Sequence, residues 1–115
     1  MNFKKHYALG RLKQGERNRT EAKYEAYLEQ LRIAGEVLWY KFEGIKLRLA
    51  DGCFLTMDFA VMTKDNMLEL HDCKGSRAIF SDDAKVKVKC ASEAYPFLFK
   101  IVYPVKGGGW EVDEF

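Results

Sequence analysis

The sequence predicts a mixed α/β (α+β) fold with elements in the order α-β-β-β-α-β. Three observations carry this. Apolar residues recur at helical spacing over 19–34, and the period changes to two beyond Gly35. Ser81-Asp82-Asp83 combines an N-cap with two acids in a first turn, which opens a second helix after the strands. Residues 97–103 are rich in aromatic and β-branched side chains and read as a last strand. A length of 115 residues fits one domain. A chain of this size buries roughly two thirds of its unfolded surface, enough for a core without staples.

Residues 1–17 read as a basic N-terminal arm, with Lys4, Lys5, Arg11, Lys13 and Arg17 against Glu16, and residues 18–115 as the single domain. The first helix is expected over 19–34. Asn18 with Glu21 three residues later, or Thr20 itself, supplies its start. Tyr24, Tyr27, Leu28 and Leu31 form its buried stripe, and Gly35 stops it because glycine takes positive φ without steric cost.

Val37-Leu38-Trp39-Tyr40 opens an extended segment. Ile45-Lys46-Leu47-Arg48-Leu49 then alternates apolar and charged residues, as a half-exposed strand does. Asp51-Gly52 is a turn signal. Residues 53–63 and 67–74 give two further strands, so 45–74 is expected as a three-stranded antiparallel meander. The second helix is expected over 82–94, with Ala84, Val88, Ala91 and Tyr95 on one stripe and Pro96 ending it. Gly107-Gly108-Gly109 makes a turn, and Trp110-Glu111-Val112 adds a short edge strand.

Composition excludes several classes. Two Pro, nine Gly and a 14% aromatic content argue against disorder. No apolar run approaches the roughly 20 residues of a membrane span. The start, Met-Asn-Phe-Lys-Lys-His, lacks a signal-peptide apolar stretch. Cys53, Cys73 and Cys90 are widely spaced, so neither a disulfide framework nor a zinc site is expected. Buried free thiols suit a reducing cytoplasm. His6 and His71 stand alone, and no histidine metal site is proposed.

The net charge of +2 excludes a globally basic binder, but the charge is unevenly placed. Residues 1–23 hold seven basic and two acidic residues, whereas 107–115 hold three acids and no base.

Three positions break the hydrophobic pattern, and such conflicts are where chemistry is expected. Leu70, Asp72 and Lys74 share one strand face, which places an acid and a lysine together at the strand end. This is either a surface salt bridge or part of a site. Asp58 interrupts an apolar run fit for a central strand. It marks either a bulge or edge, or an acid retained for a metal or partner. Glu21 shares the stripe of Tyr24, Leu28 and Leu31, as a capping acid or as a third member of that site. Together they form an oxygen-rich set suited to Mg²⁺ or Mn²⁺. Such a metal polarises a phosphate and acidifies its bound water. Lys74 would hold that water and offset charge developing on the phosphate.

These residues resemble the PD-(D/E)XK nuclease superfamily. Met57-Asp58 corresponds to its "PD" element and Asp72-Cys73-Lys74 to its "(D/E)XK" element. The resemblance is closest to small phage-encoded proteins of the Holliday-junction-resolvase-like type. It runs through Thr20-Glu21-Ala22-Lys23-Tyr24, Asp58-Phe59, Asp72-Cys73-Lys74-Gly75, the basic helix after Asp83, and Tyr95-Pro96, covering roughly 18–112.

The resemblance implies a restriction-endonuclease-like core, a central mixed sheet flanked by helices. It implies a Mg²⁺- or Mn²⁺-dependent DNA endonuclease of phage or prophage origin, with branched DNA as a candidate substrate. Asp58, Asp72 and Glu21 would be the metal ligands, and Lys74 the catalytic lysine beside them. Met57 replaces the proline of the family name, and Asp72 replaces the more frequent glutamate, shortening the reach by one methylene. Cutting two strands symmetrically implies a homodimer.

Phosphate contacts are expected from Arg17 and Arg19 at the helix start and from Lys85, Lys87 and Lys89 on the second helix, whose alternative is a solvated face. Trp39, Tyr40 and Trp110 either stack on bases or pack at the core and edge. Two other readings stay open. One is a nucleic-acid-binding module without cleavage. The other is an interaction protein in which the polar cluster is a structural salt bridge.

Overall fold

A computed structural model describes residues 16–115, so all of the basic arm except Glu16 and Arg17 lies outside the described residues. The elements are α1 (Arg19–Ile33), β1 (Val37–Phe42), β2 (Lys46–Ala50), β3 (Cys53–Thr56), β4 (Phe59–Thr63), β5 (Leu68–Cys73), α2 (Asp82–Ala94), β6 (Leu98–Pro104) and β7 (Trp110–Glu114). A 3-10 turn, Arg77–Ile79, precedes α2. The fold is α+β, and its main sheet has the order β1-β4-β5-β6-β7. β5 and β6 run parallel and the other neighbours antiparallel, so the sheet is mixed. α2 is the crossover that the parallel pair requires.

Local chemistry accounts for both helices. Asn18 Oδ1 accepts from Glu21 N–H and Glu21 Oε1 accepts from Asn18 N–H, each at 2.8 Å, a reciprocal capping box. At the other end Gly35 takes φ 83°. Gly35 N–H then reaches Arg32 O and Glu36 N–H reaches Leu31 O, which closes the last turn. Ser81 Oγ accepts from Ala84 N–H and caps α2. The Val86-Lys87-Val88-Lys89 alternation lies within α2, with Val88 buried and Val86 exposed.

The strands differ from the expected meander over 45–74. The antiparallel triplet of the main sheet is β1-β4-β5, and β2-β3 is a separate hairpin. The expected 53–63 strand breaks at Met57-Asp58. Met57 packs with Leu47, Leu70 and Phe99, while Phe59 packs with Tyr24, Leu28 and Val102 on the opposite side. Residues two apart on an unbroken strand share a face, so the chain must rotate between them. Asp58 O accepts from Glu43 N–H at 2.7 Å at this break. The order α-β-β-β-α-β holds only with β1, β4 and β5 as its strands, a hairpin inserted after the first, and β7 added at the end.

Two cores flank the sheet. α1 covers one face through Tyr24 and Leu28, against Val37, Phe59, Val61 and Val102. α2 and the β2-β3 hairpin cover the other through Val88, Ala91 and Leu47, against Ala60, Leu70, Phe99 and Ile101. Among the described residues no helix is long and apolar enough to cross a membrane. The three cysteines are free, but only Cys73 is buried; Cys53 is half-buried and Cys90 exposed, which corrects the expectation of three buried thiols.

Candidate active site

The β4-β5 register pairs Phe59 with His71, so the residue before one stands beside the residue after the other: Asp58 beside Asp72. Asp58 N–H donates to Asp72 Oδ1 at 3.3 Å. Cys73 N–H donates to Asp58 Oδ2 at 2.8 Å. Lys74 leaves the strand with its N–H held by Val102 O, and its Nζ lies 2.7 Å from Asp72 Oδ2. Glu21 approaches the same place from the first turn of α1, near enough that its carboxyl adds to the upward push on the Asp58 pKa. It is therefore a capping acid and a member of the cluster at once. The structure brings together all four residues singled out in the sequence, Glu21, Asp58, Asp72 and Lys74.

The cluster holds three carboxyl groups against one ammonium, and it is half-buried. Burial, then the neighbouring Asp72 charge, pushes the Asp58 carboxyl from 3.8 up to about 9, despite the stabilising Cys73 N–H. Asp58 is thus protonated at neutral pH in the protein alone. Burial works against the charged form of Lys74, but the charge and hydrogen bond of Asp72 outweigh it, so its pKa is raised and it stays an ammonium. Burial and the adjacent Asp58 and Asp72 charges push the Cys73 thiol up, which leaves it inert.

The donor set is all oxygen, the chemistry Mg²⁺ and Mn²⁺ take. A carboxyl must be deprotonated to ligate a metal, so a cation held by Asp58 would displace the proton it keeps. Among the described residues no group of three or more His, Cys, Asp or Glu is already spaced to hold a metal ion. One oxygen of Asp58 is engaged by Cys73 and one of Asp72 by Lys74.

The residues expected to contact phosphate are placed differently from one another. Arg17 is paired with Glu25 through two hydrogen bonds, at 2.7 and 3.0 Å, and lies over the Phe42 ring. Arg19 is exposed at the start of α1. Lys85 lies over the Phe80 ring, Lys87 Nζ donates to Phe54 O, and Lys89 is exposed. Tyr40 donates to Glu29, and Trp110 packs edge-on against Tyr24, so both serve packing; Trp39 is exposed on the edge strand β1.

One polar cluster escaped the sequence reading. On the α1 side of the sheet Tyr24 Oη meets His71 Nδ1 at 2.7 Å, and His71 Nε2 meets Glu69 Oε1 at 2.8 Å. Lys100 Nζ closes the chain 3.0 Å from the same Glu69 oxygen. The cluster floors a cavity of about 300 Å³ walled by Leu28, Leu31, Val37 and Trp110. Its signal was the face of β5 opposite Asp72: Glu69, His71 and Cys73 alternate with Leu70 and Asp72.

Set against protein-family models, curated proteins and solved structures, the chain matches none of them.

Proposed function

We propose that this protein is a metal-dependent DNA endonuclease that hydrolyses phosphodiester bonds, with a site of the PD-(D/E)XK type. The observation that supports it best is the surplus of half-buried acid around Asp58. Carboxyl groups from α1, the break before β4 and β5 stand together with a single lysine, an arrangement that costs stability unless a cation joins it. Asp58 and Asp72, with Glu21, would hold Mg²⁺ or Mn²⁺. Bound there, the ion supplies positive charge that polarises a phosphate and lowers the pKa of a coordinated water. Asp72 holds the Lys74 ammonium at the strand end, where its remaining protons would serve to hold the attacking water or offset charge developing on phosphate. Cys73 N–H holds Asp58 in orientation.

Phage or prophage DNA processing, branched DNA as substrate and action as a homodimer belong to the same reading and come from the family resemblance. Wild-type protein should nick a supercoiled plasmid or cut a four-way junction with Mg²⁺ or Mn²⁺ but not in EDTA. Asp72→Asn and Lys74→Ala should each abolish the activity. Equal activity in wild type and either variant would overturn the mechanism.

A specific observation also favours a second reading, a nucleic-acid-binding module without cleavage. Asp72 is one methylene shorter than glutamate, and its ion pair with Lys74 engages an oxygen that a metal would take. Calorimetric titration with Mn²⁺ separates the two: DNA affinity with no metal binding at millimolar concentration supports the module.

A further inference from the structure

Among the described residues Arg17, Arg32, Lys64, Lys74, Arg77 and Lys100 each pair with an acid. Several exposed cations do not, and two of them stand side by side on the outer face of the β2-β3 hairpin. Lys46 and Arg48 are exposed there, next to an exposed Phe54, and no described acid lies within ion-pair distance of either cation. The register pairs Arg48 with Phe54 and Lys46 with Thr56, so all four side chains share one face. Leu47 and Leu55 point the other way into the core. Lys46 Nζ sits 4.5 Å from the centre of the Phe54 ring, and Lys87 reaches over from α2 to Phe54 O. One cation therefore lies over the exposed ring, a second stands opposite it in register and a third holds its backbone carbonyl, and neither β2 nor β3 contains an acid.

The hairpin is also joined to the acid cluster. β3 ends at Thr56, two residues before Asp58. Two residues of chain span at most about 7 Å, close to the phosphate spacing of an extended nucleic-acid strand. We propose that the outer face of the β2-β3 hairpin, through Lys46, Arg48, Phe54 and Lys87, binds the nucleic-acid backbone next to the phosphate at Asp58 and Asp72. The cations neutralise consecutive phosphates, and the Phe54 ring offers a stacking surface beside them. Charge complementarity selects a polyanion. An exposed aromatic ring among unpaired cations selects a nucleic acid over an acidic polypeptide, because it has a π-face to meet. The inference rests on the nuclease reading for the role of the acid cluster, and its test separates the two.

Fluorescence anisotropy with a labelled single strand, a labelled DNA duplex and a labelled four-way junction, in EDTA across a salt series, provides the measurement. Lys46→Gln/Arg48→Gln should weaken binding at least tenfold. It should also reduce the magnitude of the salt slope by about two, since each lost phosphate contact removes about 0.9. Phe54→Ala should weaken binding to single-stranded DNA with the salt slope unchanged. Lys64→Gln, which removes a cation paired with Glu36, should leave both unchanged. These side chains are exposed, and matching circular dichroism and melting curves would confirm that the variants fold. Wild-type affinity and slope in the double variant would overturn the inference, even if Asp72→Asn still abolished cleavage. Loss of binding in the double variant, from a wild type that never cleaves, would keep the inference and remove the nuclease. Equal, hairpin-dependent competition by polyglutamate would assign the surface to an acidic protein partner and overturn it as well.

Discussion

Asp58→Asn should stabilise the protein. In the folded state the Asp58 carboxyl keeps its proton to about 9, because burial and the Asp72 charge oppose ionisation. In the unfolded chain it ionises near 3.8. Below 3.8 both states are protonated and the group contributes nothing to the difference. Between 3.8 and 9 the unfolded state has released a proton that the folded state retains, so stability falls as pH rises. Above 9 both are ionised and the cost is constant.

Each pH unit is worth about 1.4 kcal/mol, so the cost is about 4 kcal/mol near pH 7 and about 1.5 near pH 5. Asparagine escapes it. Its side-chain oxygen still accepts from Cys73 N–H, and it carries no charge to bury. At about 4 °C per kcal/mol, the melting temperature should rise by roughly 15 °C near neutrality. Urea titration and thermal melts of both proteins in EDTA, from acid to alkaline pH, give the gap directly. A variant no more stable than wild type near neutrality, or a gap that does not grow with pH, would refute the reasoning. The cluster would then be a stabilising salt-bridge network, whose broken pair costs about 3–5 kcal/mol.

Mg²⁺ or Mn²⁺ binding should release a proton from Asp58, seen as a dependence of calorimetric heat on buffer ionisation enthalpy that disappears in Asp58→Asn. Asn18→Ala should cost about 1 kcal/mol through loss of the helix cap, and on the nuclease reading it should also lower cleavage by freeing Glu21, whereas Thr20→Ala should leave the cap intact. Phe59→Ala, at a fully buried position between α1 and the sheet, should cost about 3–5 kcal/mol by urea denaturation. Burial holds the His71 pKa below its ordinary 6.5 despite Glu69, so NMR titration should find its imidazole still neutral when a free histidine is half protonated. Because the unfolded chain takes up that proton first, stability should fall as pH drops below 6.5.

Much of the site was legible because the period of a strand is strict. Asp72 and Lys74 had to share a face with Leu70, and Asp58 was conspicuous as an acid within an apolar run. Glu21 was ambiguous for a reason the structure makes plain. The same carboxylate accepts from Asn18 N–H and lies close enough to Asp58 to raise its pKa, so the cap is real and the residue also stands beside the acids. The helices were legible because their caps are local. The strand pairing was not.

Residues 53–63 read as one strand because nothing in their local pattern marks the rotation at Met57-Asp58. That rotation arises from tertiary contacts, with Met57 drawn to the α2 core and Phe59 to the α1 core. Pairing of β1 with β4 likewise joins segments about twenty residues apart, across an inserted hairpin. The Tyr24-His71-Glu69-Lys100 cluster was invisible for a related reason: its members come from three elements, and only Glu69 and His71 are near in sequence.

The two faces of β5 explain why one polar cluster is assigned chemistry and the other is not. On the α1 face Glu69 meets both Lys100 and His71, and His71 meets Tyr24, so each charge has a partner and each ring nitrogen a hydrogen bond. The neighbouring Glu69 carboxylate has its pKa lowered, first by the His71 hydrogen bond, so it is content as an anion. Such a network is closed: adding a ligand would break bonds it already makes. On the other face, one residue along the same strand, Asp72 has one lysine to share with Asp58 and Glu21, and Asp58 is driven to hold a proton. That cluster is open in the sense that one more positive charge improves it. Burial and polarity are common to both, and charge balance separates them. The deficit of positive charge at Asp58, beside a hairpin whose cations have no acids of their own, is an arrangement that a divalent ion and a phosphate backbone would complete together.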